Sequence, residues 1–385
     1  MKKLVLSLLF LLKFITVYAN SKNLNIFIII NHKLDSTQLL VVKSDLDNFV
    51  RNNSLIDITN YTSNSKIGIV TPASFNNFNY NTYIKANNYL IIKLPSYWVK
   101  QTLLTANMPY GIEIYKSTTN YSYKSGPIRK MKAFCIVVDP KYIDFKPTYA
   151  TPNKLPVNFI KDEPGTVLAC MNAGFFGPNL AYSMLRYNGS NYTNNIASFN
   201  RTYNDDSVVY YATRAAFGLT KDLKPEVAWI YPVSGVVYSY AVPSPNNIKN
   251  PPQPQPTEVC GAVWNVISAV GGAPMLIKNG SINITDTEEL IVIDNKSPRA
   301  RTAIGYTAHG KIIMLTVEGE NKGVSDGLTL IELANYMKDI GCVGAINLDG
   351  GSSTMLRVGC KEVIKPSSSG LERAMPGVIL LKSKK

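Results

Sequence analysis

Between residues 312 and 348 the apolar positions change period twice. Ile312 to Val317 is a near-continuous apolar run, the pattern of a strand with both faces covered. Leu330, Leu333, Ala334, Met337 and Ile340 then recur at helical spacing and predict a helix over 327–340 with one buried stripe. Ser325 or Asp326 suits its start and Gly341 its stop. Cys342 to Leu348 is again an apolar, strand-like run. Strand, acidic loop (318–326), helix and strand read as a strand–helix–strand unit of a parallel sheet. Such a unit sets Glu318 and Asp349 at one sheet edge, where open sheets place their sites.

The rest of the chain is less regular. Leu24–Ile30 and Tyr89–Leu94 read as strands and Ser44–Asn52 as a short helix, giving a small N-terminal α+β region over 20–110. From Gly111 onward strand-like runs dominate: Met131–Val138, Thr166–Met171, Val208–Ala212 and Ala215–Leu219. The stretch 243–257 is crowded with proline and is excluded from a sheet interior, so it predicts an extended loop within a domain spanning 111–385. The fold class expected is α/β in the mixed α+β sense, built on a mixed sheet.

Composition permits a sizeable core: of 385 residues, 45% are hydrophobic and 17% charged. Residues 1–19 resemble a secretory leader, with Lys2-Lys3, an apolar stretch Leu4–Leu12 and small residues up to Ala19. An uncleaved anchor is the alternative; with cleavage, the protein is secreted or extracytoplasmic and not integral to a membrane. Net charge is +14, but the basic residues are scattered rather than set in a stripe, which argues against a nucleic-acid partner. A basic surface also suits anionic glycans or phosphates. The five cysteines lack C-x-x-C spacing, so zinc is not expected; Cys342 and Cys360 could pair, or all five could be buried apolar residues.

Chemistry concentrates at strand–glycine junctions. Asn347-Leu348-Asp349-Gly350-Gly351-Ser352-Ser353-Thr354-Met355 presents a carboxylate, backbone N–H groups and hydroxyls together. Asn172-Ala173-Gly174-Phe175-Phe176-Gly177 adds a polar side chain and two aromatic rings able to stack on a sugar. Arg301 followed by Thr302 at a strand entrance can hold a phosphate with its planar fork. Glu318, Glu320, Asp326 and Asp349 could instead hold a hard cation such as calcium. His32 and His309 stand beside no serine motif, so a Ser-His-Asp triad has no support.

These ordered junctions, together with Gly271–Gly280 and Gly327–Leu333, resemble the phosphodiester glycosidase family over about residues 111–383. Where that family carries an Asp-Gly-Arg-like segment, this chain reads Glu318-Gly319-Glu320. The resemblance implies an exported hydrolase of an N-acetylglucosamine-like sugar-1-phosphodiester. In such a hydrolase Asp349 and Glu318 would be the catalytic carboxylates. Asn172, Arg301, Thr302, Gly350, Gly351, Ser352 and Ser353 would bind a sugar-phosphate or glycan. A non-catalytic glycan-binding or cell-surface-polymer-binding protein on the same fold is the competing expectation, and hydrolysis of ordinary glycosides a third.

Overall fold

The computed structural model describes residues 94–384 other than 179 and 292, and the backbone of two short strands, Ile15–Ala19 and Ile26–Ile30. Those two strands pair antiparallel within a unit of residues 1–88; residues 89–385 form a second unit. The second strand falls within the run expected over Leu24–Ile30. The helix expected over Ser44–Asn52 lies outside the described residues, as does the strand over Tyr89–Leu94 but for its last residue. In the second unit Val99–Lys100 already pairs with Ile112–Ser117, so its sheet begins ahead of residue 111.

Three sheets dominate the second unit. The largest runs, in spatial order, Ser281–Ile282, Met275–Lys278, Cys342–Asn347, Arg301–Thr307, Ile312–Val317, Ala133–Val138, Ile112–Ser117 and Val99–Lys100. A five-stranded sheet is ordered Lys361–Glu362, Leu356–Val358, Val167–Asn172, Met375–Ser383, Ile143–Lys154. A seven-stranded sheet is centred on Ser268–Gly271, Arg214–Leu219 and Pro225–Val233. One core cluster draws Ile136, Met314 and Ile346 from the first sheet, Phe145, Met171 and Ile379 from the second, and Phe217, Trp229 and Val270 from the third.

The domain is therefore sheet-dominated, and the expected mixed sheet is corrected. Every strand pair in these sheets is antiparallel. Ile312–Val317 and Cys342–Asn347 do run the same way, but Arg301–Thr307 lies between them and opposes both. The apolar runs misled because continuity reports burial on both faces, which usually accompanies parallel sheets. Here the antiparallel sheet is covered on one face by the common core. Its other face is covered by the helix Leu330–Asp339, through Leu330, Leu333, Ala334 and Met337.

That helix starts later than the periodicity alone suggests. Thr329, not Ser325 or Asp326, is its cap: the Thr329 hydroxyl accepts from the Glu332 N–H at 3.3 Å and the Glu332 carboxylate accepts from the Thr329 N–H at 2.8 Å. Ser325 instead donates to the Glu318 carbonyl at 2.5 Å, and Asp326 accepts from the Lys130 N–H at 2.7 Å. Gly341, with φ of +101°, ends the helix as expected. All five cysteines are unpaired, and Cys342 is buried while Cys360 is exposed, so the pairing considered for them is absent. Among the described residues no helix is long and apolar enough to cross a membrane.

A buried carboxylate ties the seven-stranded sheet to the largest one. Glu289 accepts from the Met275 N–H at 2.7 Å, the Ala215 N–H at 2.8 Å, the Thr285 hydroxyl at 2.6 Å and the Trp229 indole at 3.1 Å. Burial drives its pKa up from 4.5 to about 7 against the pull of these donors. A folded-state value above the unfolded one means a stabilising contribution that is complete below the ordinary carboxylate range and lost as pH rises through about 7. Urea midpoints should therefore fall between about pH 5 and pH 9. Glu289→Gln should be less stable throughout, because its amide faces an N–H, and should lose this part of the slope.

Candidate active site

Strand Val167–Asn172 has an antiparallel neighbour on each side. Leu356 lies opposite Met171 in one, and Val378 lies opposite Asn172 in the other. Antiparallel neighbours enter where the central strand leaves. The residues preceding them, 349–355 and 373, therefore meet those following Asn172. The 349–355 turn also begins where Cys342–Asn347 leaves the largest sheet, so it sits on the seam between two sheets.

Asn172 locks this seam. Its amide N–H groups donate to the Asp349 carbonyl at 2.8 Å and the Ala173 carbonyl at 3.1 Å. Its carbonyl oxygen accepts from the Thr302 hydroxyl at 2.9 Å and the Met355 N–H at 3.1 Å. An amide has two donors and two lone pairs, and all four are taken. Asn172 and Thr302, expected to bind substrate, are both buried and hold the Asp349 turn through these bonds.

Asp349 itself is the open carboxylate. One oxygen accepts from the Gly350 N–H at 2.9 Å; the other accepts from the Ser353 hydroxyl at 2.5 Å and lies 3.4 Å from an Arg373 guanidinium nitrogen. Its side chain keeps 16% of its surface exposed. Burial raises its pKa above the ordinary carboxylate range, with Ser353, Arg373 and the Gly350 N–H pulling the other way. Gly351, at φ of +57°, turns the chain and donates its N–H to the Ala300 carbonyl at 2.8 Å. The N–H groups of both glycines are thus engaged, that of Gly350 inside the turn and that of Gly351 on the neighbouring strand entrance. Ser353 is fully buried, bridging Asp349 and Arg373, whereas Ser352 remains half-exposed.

Arg301 and Glu318 are placed differently from what their positions suggest. Successive side chains along a strand alternate faces, so with Thr302 turned to Asn172, Arg301 turns to the helix side. There its guanidinium donates to the carbonyls of Leu328 at 2.8 Å, Asp294 at 2.5 Å and Ser297 at 3.2 Å. Burial lowers its pKa to about 10, so it stays cationic at neutral pH, where it braces two loops. Glu318 has no exposed surface. It pairs with Lys132 at 2.6 Å, accepts from the Lys365 N–H at 3.1 Å and is bonded by the Asn321 amide. No hydrogen bond joins it to the Asp349 turn. Glu320 pairs with Arg299 at 2.5 Å, and Arg299 also holds Asp294 at 2.7 Å. The carboxylates considered for a shared cation are thus engaged separately. Among the described residues no group of three or more His, Cys, Asp or Glu is placed for a metal ion.

Arg373 escaped the sequence reading. Leu371-Glu372-Arg373-Ala374 follows Gly370 but is itself without glycine, and only the insertion of Met375–Ser383 beside Val167–Asn172 brings it to the site. The available signal was its place just ahead of a C-terminal apolar run. Its guanidinium stacks 4.5 Å from the centre of the Phe176 ring, so that ring supports an arginine instead of standing free as a sugar wall.

Comparison with known proteins adds the family. The phosphodiester glycosidase profile matches residues 166–382. The N-acetylglucosamine-1-phosphodiester alpha-N-acetylglucosaminidase of Mus musculus is 30% identical over 106 residues, which are 25% of this chain and 20% of that relative. An uncharacterised SPbeta prophage-derived protein of Bacillus subtilis is 36% identical over 75 residues, 20% of this chain and 11% of that one. The chain thus spans about a fifth or less of the length of these relatives. Among solved structures, the zebrafish N-acetylglucosamine-1-phosphodiester alpha-N-acetylglucosaminidase catalytic domain, auto-inhibited by its pro-peptide, matches with a TM-score of 0.50 and 19% identity. That match covers 72% of this chain and 85% of the zebrafish one. At that identity the likeness is one of fold.

Proposed function

We propose that this chain, which belongs to the phosphodiester glycosidase family, is an exported hydrolase that cleaves a glycosyl phosphodiester at the anomeric carbon. The sugar would be N-acetylglucosamine-like, as in the name of the mouse relative. The observation that carries the reading is Asp349: a carboxylate sunk in a donor-lined turn, with one edge open to solvent. Breaking the bond between the anomeric carbon and the phosphate oxygen leaves a cation-like sugar. A negative charge held in a low-dielectric site stabilises that charge far more than water does. The phosphate leaves with the bonding pair as a weakly basic monoester, so it needs little proton donation. Water adds to the anomeric carbon, and Asp349 would take its proton. Ser352 supplies a hydroxyl at the same edge.

Glu318 serves in this reading as a positioning residue. Its grip on Lys132 and the Lys365 N–H fixes the loop that leads to Arg373. Export rests on the leader-like pattern of residues 1–19. The test is incubation of the purified protein with UDP-N-acetylglucosamine or a chromogenic N-acetylglucosamine phosphodiester, with released sugar measured. Sugar binding without any release would favour the glycan-binding alternative and sink the hydrolase.

The pH profile offers a second check. If ionised Asp349 is required, the acid limb of kcat/KM should lie above the ordinary carboxylate range, because burial raises its pKa in the free protein. An acid limb at or below that range would remove Asp349 from the role of base.

A further inference from the structure

We propose that Arg373 is the phosphate-gripping group of this site and the residue that selects phosphodiesters over neutral glycosides, a proposal that rests on the hydrolase reading above. Three observations support it. First, its side chain is 46% exposed, while that of its ion-pair partner Asp349 is 16% exposed, so the arginine lies on the solvent side of the carboxylate. Second, its contacts to Ser353 and Asp349 both run through Nη2. Nε and Nη1 keep their donors for a ligand, in the planar arrangement that suits two phosphate oxygens. The 3.4 Å approach to Asp349 is long for a charge-assisted bond, so Asp349 makes only a weak claim on the guanidinium.

Third, Arg373 is held in place from both sides. The Phe176 ring supports its guanidinium at 4.5 Å. The preceding residue, Glu372, takes the fork of Arg357 at 2.9, 2.9 and 2.8 Å, and Arg357 also donates to the Cys360 carbonyl at 2.7 Å. The other arginines on segments meeting this turn are already engaged: Arg301 on three carbonyls, Arg299 on Asp294 and Glu320, Arg357 on Glu372. Of the four, Arg373 has the most open side chain, 46% against 42% for Arg299 and 15% for Arg357, and unlike Arg299 and Arg357 it makes no ion pair shorter than 3.4 Å.

The division of labour follows from the charges. A bound phosphodiester carries one negative charge, or two in the diphosphate of UDP-N-acetylglucosamine, and departure of the phosphate from the anomeric carbon develops one more. Arg373 faces that oxygen cluster, while Asp349, bridged to Arg373 by Ser353, faces the sugar side. A neutral aglycone gives Arg373 nothing to grip. Loss of the guanidinium should therefore damage phosphodiester cleavage far more than cleavage of a neutral glycoside, which loses only the support Arg373 gives Asp349.

The experiment uses the full chain and the variants Arg373→Gln and Arg373→Lys. Each is assayed on UDP-N-acetylglucosamine and on a neutral chromogenic N-acetylglucosaminide, with inorganic phosphate binding followed by calorimetry and thermal melts alongside. The expected result for Arg373→Gln is a loss of about 100-fold in kcat/KM on the phosphodiester. Phosphate binding should disappear and the melt should be unchanged, since the side chain is half in solvent. Arg373→Lys should restore part of the binding and little of the rate, because it keeps the charge without the fork. If the glutamine variant fails to fold, the lysine variant carries the same contrast. Wild type that binds no phosphate, a variant that binds phosphate like wild type, or an equal loss on both substrates would each overturn the proposal. Phosphate binding that depends on Arg373, with no hydrolysis of any phosphodiester, would instead sink the hydrolase reading and leave the anion site standing.

Discussion

Replacing Asp349 by asparagine is expected to lower kcat on a glycosyl phosphodiester by about 1,000-fold while leaving the thermal melt unchanged or slightly raised. The two halves of that expectation have separate causes. Asparagine keeps the shape; its single carbonyl oxygen can still accept from the Gly350 N–H, which holds the carboxylate now at 2.9 Å, while its amide N–H can donate to the Ser353 oxygen once that hydroxyl, now donating at 2.5 Å, turns away. It removes the charge, and an interaction strongest in the transition state costs rate rather than ground-state affinity. The carboxylate's raised pKa means that the fold works against its ionisation, so a neutral group there relieves a burden on stability. An unchanged kcat with an unchanged melt would show that Asp349 only caps its own turn, a task asparagine performs as well.

The second large effect is structural. Asn172→Ala should lower unfolding free energy by roughly 3 kcal/mol and abolish activity together. The alanine leaves the carbonyls of Asp349 and Ala173, the Thr302 hydroxyl and the Met355 N–H without the partner that satisfies all four now. Buried polar groups stripped of partners carry their full desolvation penalty. The seam between two sheets is where those groups lie, so the Asp349 turn should lose its position as well as its stability. Urea unfolding and kcat measured on the same preparations check this. A variant with wild-type stability and a raised KM alone would return Asn172 to the role of a substrate ligand.

Several features were legible in the chain itself. The Leu330–Asp339 helix follows from its apolar stripe, and its stop at Gly341 from the backbone freedom that φ of +101° demands. The Asp349 turn stood out because its glycines, carboxylate and hydroxyls are contiguous. Local signals of this kind survive folding because each is decided within a few residues. Direction of pairing was not legible: the continuous apolar runs at Ile312–Val317 and Cys342–Asn347 report only that both faces are covered. The cap was misplaced for a related reason, since Ser325 and Asp326 are drawn off by Glu318 and Lys130, partners close only in space.

By itself, then, the sequence determined a large apolar core, the helix, the strand runs and the identity of the carboxylate turn, all set by composition and short-range periodicity. Tertiary structure alone decided which polar side chains face the opening. Arg301 and Thr302 are adjacent, yet strand alternation sends one to the helix side and the other to Asn172. Glu318 ends a strand at the expected edge, yet Lys132, Asn321 and Lys365 consume its oxygens. Arg373 enters because the last long strand runs antiparallel beside Val167–Asn172 and begins where that strand stops. A side chain's type is written in the chain, but whether its hydrogen-bonding capacity is spent or free depends on neighbours that only the assembled sheets bring within reach.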